Sequence, residues 1–336
     1  MANTVQTETT RTLQLVCATQ VARETEIRQS SNGVRFGTFG ETGVADIELD
    51  RMLEAVPTAI TAALKANTYY FVPLAMREPV EAFDPAVAHK EPQPEPTMVS
   101  SGYTEELSDA AICHRNVELD QGRRGVFIST RLMGDRFALS FEFFINVAHA
   151  FVDQVGVPKP FEELVWKQAL DNVRGETSAD AWESRNVTFG RAANAQPEMM
   201  QPKLRRNRSA AFGFAAKQRS FSGPGLNPRS AGTEGLNLSA SGAGSSEEPG
   251  EDPGKRAGAE LQIDQKERML YLGAAFSDAV AIYLLSLALD FDYTELRERE
   301  YPLLTPAGLA ARLRCIAELY PPNESYEFAV RYRRKA

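Results

Sequence analysis

Cysteine is scarce in this chain: Cys17, Cys113 and Cys315 are odd in number and far apart, and no Cys-x-x-Cys pair occurs. That usage argues against a disulfide framework and against a thiolate zinc site, and it fits a reducing compartment. Also lacking is His-Glu-x-x-His, which would set two imidazoles on one helical face around a metal, and so is the Gly-x-Ser-x-Gly elbow of a serine hydrolase. Cys113 and His114 are neighbours, so on a strand they point to opposite faces and cannot act on each other as nucleophile and base. A glycine-rich stretch, GTFGETG at 37–43, precedes a helical pattern, where it could cradle a phosphate. It has neither the lysine of a P-loop nor the Rossmann spacing, and Asp46, Glu48 and Asp50 would repel an anion, so it reads as a turn. No cofactor and no metal is expected, and no repeat of solenoid period is present.

Net positive charge is missing as well. The chain carries 45 acidic and 37 basic residues, a formal charge of -8, which disfavours a general affinity for nucleic acid or anionic membranes. The opening MANTVQTETTRTLQLVC is polar and threonine-rich where a secretion signal needs a basic patch and an apolar core of about 7–15 residues, so a cytoplasmic location is expected. One long hydrophobic run exists, at 269–289, with Asp278 as its single charge. About 20 apolar residues suffice to cross a bilayer, but a carboxylate near the middle costs roughly 3 kcal/mol there. A helix buried in a protein core is the preferred reading, and a membrane anchor the alternative.

Periodicity and turn signals outline the rest. Strands are expected at 12–18 and 68–74, with a turn at Ser31-Asn32-Gly33. A helix capped by Asp46 should span 47–66, interrupted at Pro57. The proline-rich tract 78–96 reads as an irregular connection and 104–112 as a helix. Segments 115–120 and 125–132 flank DQGRRG as a β-hairpin. Helices follow at 135–155, 160–173 and 178–185, opened by Asp135, Pro160 and Ser178, and another at 305–320, before a last strand at 326–334. Between them, 192–258 is rich in Ser, Gly, Pro, Asn and Ala and too poor in large aliphatics to offset an ordering cost of about 1–2 kcal/mol per residue. A helix that is apolar all round needs neighbours on every face, more than the last 76 residues can supply. The expectation is therefore one α+β domain, predominantly helical with a small antiparallel sheet and broken by a long disordered insertion. Its parts are a disordered start (1–10), a first core segment (11–190), the insertion (191–260) and a second core segment (261–336). Two domains on a flexible tether are the alternative.

Two stretches carry candidate chemistry. In RFALSFEFFINVAHAFVDQ the polar residues Glu142, Asn146, His149 and Asp153 fall at roughly 0°, 40°, -20° and 20° around a helix turning about 100° per residue. They form one narrow row among phenylalanines. A carboxylate and an imidazole in line are what one helix contributes to a metal or acid/base site, which makes Glu142, His149 and Asp153, with Asp278 in reserve, weak catalytic candidates for a metal-dependent or acid/base hydrolase. Glu142 and His149 are about 10.5 Å apart along the axis, too far for one ion. The plain expectation is a solvent-facing strip, with a buried hydrogen-bond network as the next reading. Asp278 must find a partner if buried, and His149 is the most economical one; otherwise it sits at a helix break with Ser277. The second stretch, KLRRNRSAAFGFAAKQRSF at 203–221, sets Lys203, Arg205, Arg206, Arg208, Lys217 and Arg219 around Phe212, Phe214 and Phe221 with no acid. Charge with interleaved rings suits an acidic protein partner, and also single-stranded nucleic acid; the bland reading is a linker whose charge is met within the chain by Glu247, Glu248, Glu251 and Asp252. With no catalytic motif in the chain, a non-catalytic intracellular interaction or assembly protein is the leading expectation, with a protein partner held at 203–221.

Overall fold

The computed structural model describes residues 14–76, 97–190, 264–293 and 301–330. The disordered start expected at 1–10, the connection at 78–96 and the insertion with its basic tract lie outside the described residues. Strand β1 (Leu15–Cys17) leads into helix α1 (Ala18–Glu24), then β2 (Arg28–Gln29) and β3 (Arg35–Thr38). Helices α2 (Asp46–Glu54) and α3 (Thr58–Thr61) are followed by β4 (Asn67–Val72), β5 (Leu74–Met76), β6 (Met98–Ser100), α4 (Glu105–Ser108), β7 (Ala111–Ile112), β8 (His114–Glu118) and β9 (Arg124–Ser129). The remainder is helical: α5 (Arg136–Val155), α6 (Lys159–Leu170), α7 (Ala179–Thr188), α8 (Gln265–Ala288) and α9 (Pro306–Leu319).

The α+β class stands. Strands β1, β6, β5 and β7 form a four-stranded antiparallel sheet, and β2, β3, β4, β9 and β8 form a five-stranded one in that order. In the larger sheet the β2–β3 and β8–β9 pairs are antiparallel, the expected turn and hairpin, while β3–β4 and β4–β9 are parallel. Strand β4 is central and buried throughout because both faces are covered. Tyr69 and Phe71 join the main core with Phe143 and Phe144 of α5, and Tyr70 and Val72 join a second core with Val21 of α1, Val99 and Ile112. Two layers of apolar packing thus flank one sheet.

Local chemistry explains the helix limits. Asp135, Ser178 and Thr305 accept hydrogen bonds from the backbone NH groups of Ala138, Ala181 and Gly308, the caps expected of them. Asp46 does not cap; it is the first helical residue, after Ala45, where its charge still favours the helix start. Pro57 has no NH to continue the ladder and divides α2 from α3. Pro73 likewise splits the strand expected at 68–74, sending β5 into the smaller sheet. Two expected elements differ more. The helix expected at 104–112 is a single turn, α4, and Ala111–Ile112 pair with β5 instead. Residues Tyr326 to Val330 join no sheet and are held by side chains rather than by a ladder.

Helix α8 is the centre of the helical layer and packs against α5, α6, α7 and α9. By length and composition it could cross a membrane, yet its apolar window is 83% buried within the fold. Ala275, Phe276, Leu284 and Leu285 lie on different sides and are all fully buried, and Phe276, Leu284 and Leu285 each contribute about 1.5–3 kcal/mol. The helices are further tied by a short parallel bridge between Glu176, after α6, and Leu303, before α9. The bridge depends on Gly175, whose φ is +84° and where a Cβ would lie 2.0 Å from the carbonyl oxygen of Leu303. Gly175→Ala is expected to destabilise the fold by about 3 kcal/mol or more, because left-handed strain adds to a backbone collision. Gly134→Ala, at φ +58° with nothing nearby, should cost only about 1–2 kcal/mol. Denaturant midpoints of the two variants test the difference.

Candidate functional site

The polar row of α5 does not face solvent along its length. Glu142 and Asn146 are buried, His149 is half-buried and only Asp153 is exposed. The row lies along a seam between the larger sheet and α8. Glu142 Oε1 is 2.5 Å from Nδ1 of His114 on the edge strand β8, and Asn146 Nδ2 donates to the Glu142 backbone oxygen at 2.8 Å and to Oε1 at 3.3 Å. His149 Nδ1 meets the Ser277 hydroxyl of α8 at 3.2 Å. Asp153 lies 3.8 Å from Arg124 at the start of β9, with both side chains partly in solvent. Glu142, His149 and Asp153 therefore engage three different elements, and no group of three or more metal-ligating side chains converges among the described residues. The row forms a hydrogen-bond seam between neighbouring elements. The solvent-strip expectation fails for a related reason: β8 and α8 close over the face that the helical wheel leaves polar.

Cys113 packs at the edge of the main core. Burial, reinforced by the Glu142 charge, pushes its thiol up to about 12, so it stays protonated near neutrality. Cys17 differs: the Thr19 hydroxyl beside it lowers its pKa. The GTFGETG loop serves as a turn, with the Glu41 NH donating to the Ser101 carbonyl at 2.9 Å.

Asp278 is buried in an unbroken part of α8, and Thr177 Oγ1 donates to its Oδ2 at 3.1 Å. The helix break expected there is absent, since the carboxylate is satisfied from a neighbouring loop. Thr177 leads to the most heavily charged region of the interior. Glu176 is fully buried; its Oε2 accepts from Arg312 Nη1 at 2.8 Å, and its Oε1 accepts from Arg312 Nη2 at 3.3 Å, Arg185 Nη1 at 3.2 Å and Tyr271 Oη at 2.6 Å. Arg312 Nε also donates to Gln168 Oε1 at 2.8 Å, and Arg185 Nη1 to the Gly175 oxygen at 3.0 Å. Burial alone would lower the Arg312 pKa, but Glu176 more than offsets it and the guanidinium stays charged. Tyr271 is held protonated by burial and by the Glu176 charge, so it remains a donor.

Sequence reasoning missed this cluster. Arg312 carried the one legible signal, falling among Leu309, Leu313 and Ile316 on the apolar face of α9, whereas Glu176 sits in a loop without periodicity. Compared with family models, curated proteins and solved structures, the chain matches none.

Arg312→Met, which strips Glu176 of its bidentate partner, is expected to cost about 3–5 kcal/mol. Adding Glu176→Gln should recover part of that loss, as equilibrium unfolding of the single and double variants would reveal. In alkylation followed by peptide mass spectrometry at pH 8, Cys17 should label well before Cys113.

Proposed function

We propose that this chain is a non-catalytic interaction or assembly protein of the cytoplasm, and that its docking element is the basic aromatic tract at 203–221. The observation that carries the reading is where the chain leaves and rejoins the core on either side of the tract. Phe189, at the end of α7, stacks on Trp166 of α6 with ring centroids 5.3 Å apart. The Arg268 guanidinium, in the first turns of α8, lies 4.4 Å from the centre of the same ring and 2.6 Å from Glu162. Exit and return thus fall beside one side chain, as they do when an appendage is inserted into a domain without interrupting its packing.

The surroundings support recognition there. Leu170, one turn beyond Trp166, is 55% exposed, and Met269, beside Arg268, is 51% exposed. Large apolar side chains left in solvent around an aromatic anchor are what partner proteins bury. The tract itself supplies Lys203, Arg205, Arg206, Arg208, Lys217 and Arg219 with Phe212 and Phe214, a pattern suited to an acidic protein surface. Nucleic acid is the weaker choice because the whole chain is acidic.

A photo-crosslinking residue at 212 or 214 should trap a protein, and the adduct should disappear when Arg205, Arg206 and Arg208 are changed together to Glu. Trapped nucleic acid, or a protein adduct indifferent to the charge reversal, would sink the reading. Deletion of 195–258 should abolish the adduct and shift the melting temperature of the core by no more than a few degrees.

A further inference from the structure

Asn32-Gly33 is the one Asn-Gly pair in the chain. In a free peptide such a pair is short-lived, because a glycine has no Cβ to keep its backbone nitrogen from reaching the preceding side-chain amide. The fold holds this pair in the turn between β2 and β3, with Gly33 at φ +95° and Asn32 only 8% exposed. Asn32 Nδ2 donates to the carbonyls of Leu53 and Val56 at 2.8 and 2.6 Å. Those carbonyls lie at the helix end that Pro57 creates, where the ladder leaves them without partners. Asn323 Nδ2 completes the arrangement by donating to Glu54 and Val56 at 2.8 and 3.0 Å. Asn32 Oδ1 accepts from the Ser30 hydroxyl and, at 3.4 Å, from the Val34 NH, and the Asn32 backbone oxygen accepts from Thr61 Oγ1 at 2.6 Å. The Gly33 NH donates to the Ser30 carbonyl at 2.9 Å.

Deamidation of the pair would proceed in two steps. The Gly33 nitrogen gives its proton to solvent base and bonds to Asn32 Cγ; the Cγ–Nδ2 bond breaks, and that nitrogen leaves as ammonia with a proton from water. Water then opens the cyclic imide at one carbonyl or the other, giving aspartate, or isoaspartate with the main chain rerouted through the side chain. The native contacts oppose each part. The Gly33 proton is engaged, the leaving nitrogen is held by two carbonyls, and turning the amide toward Gly33 would strand those carbonyls inside the protein. An opened turn offers no such resistance, and its product does not fit back. A carboxylate has no NH to give to Leu53 and Val56 and would set a buried charge against their oxygens. Isoaspartate lengthens the main chain inside a turn whose strands are already paired in register, Arg28 with Phe36 and Gln29 with Arg35.

We propose that Asn32-Gly33 is a self-modification site shielded by the native fold, so that deamidation there marks molecules that have opened around the Pro57 break and bars them from closing it again. Water is the one co-reactant, and nothing in the reaction involves residues 203–221. The test follows the mass of the peptide containing residues 32 and 33 in full-length protein held at pH 8, in buffer and in concentrated urea. Conversion should be at least about 100-fold slower in buffer, because reaction waits on a local opening. When a partly converted urea sample is diluted, the fraction that refolds, separated by size exclusion, should carry the unmodified peptide and the unfolded fraction the modified one. Equal rates in buffer and urea, or equal modification of the two fractions, would overturn the proposal. Thr61→Val removes one hydrogen bond to Asn32 and leaves the pair itself intact; it should speed conversion in buffer by about 2- to 10-fold and leave the rate in urea unchanged. A folded Thr61→Val protein that converts no faster than wild type in buffer would overturn the proposal as well.

Discussion

Glu176 is the point on which the helical layer depends. A fully buried carboxylate costs several kcal/mol unless it is paired and hydrogen-bonded, and this one is met by Arg312 of α9, Arg185 of α7 and Tyr271 of α8 while its own backbone bridges the strand-like turn before α9. Apolar packing alone would let α8 rotate or slide among its neighbours, since it is apolar on all sides. The Glu176 cluster does not allow that. Two guanidinium forks of fixed geometry tie the loop to α9 and α7, and the Tyr271 hydroxyl ties it to α8, which sets the register that the apolar contacts leave open. Asp278, held through Thr177, adds a second tie from the same loop to the middle of α8.

The α5 row performs the same task on the other side of α8. Glu142 joins the helix to the edge strand β8 through His114, and His149 joins it to α8 through Ser277. A wheel drawn on α5 shows these residues sharing one side, but a wheel holds no information about what lies against that side. Polar residues in line can equally make a wet face, a catalytic cluster or a seam. The spacing of Glu142 and His149 argues against a single ion, and the packing of β8 and α8 removes the wet face at Glu142 and Asn146.

Two segments differ in how far they can be read without the fold. The basic aromatic character of 203–221 is legible because it is a property of composition. The setting of residues 321–330 is not. Tyr326 and Phe328 suggest a strand by their β-propensity, yet what holds this segment is one asparagine fitted into a helix break some 265 residues away in sequence. Pro57 reads as a break from the sequence alone; that a break is also a set of unpaired carbonyls waiting for a carboxamide follows only when the partner is seen.

What the sequence by itself determined is whatever local physics controls: the helix starts at Asp135, Ser178 and Thr305, the interruption at Pro57, the β8–β9 hairpin, the burial of α8 and the α+β class. These follow from capping, proline geometry and hydrophobic period, each acting over a few residues. Tertiary structure alone decided the parallel pairing of β3, β4 and β9, the partners of Glu142, His149 and Asp278, and the arginine pair around Glu176. Those outcomes rest on hydrogen-bond and charge matches between residues up to 136 positions apart. Buried polar groups must be satisfied by whatever the fold brings near, and no local pattern encodes which group that will be.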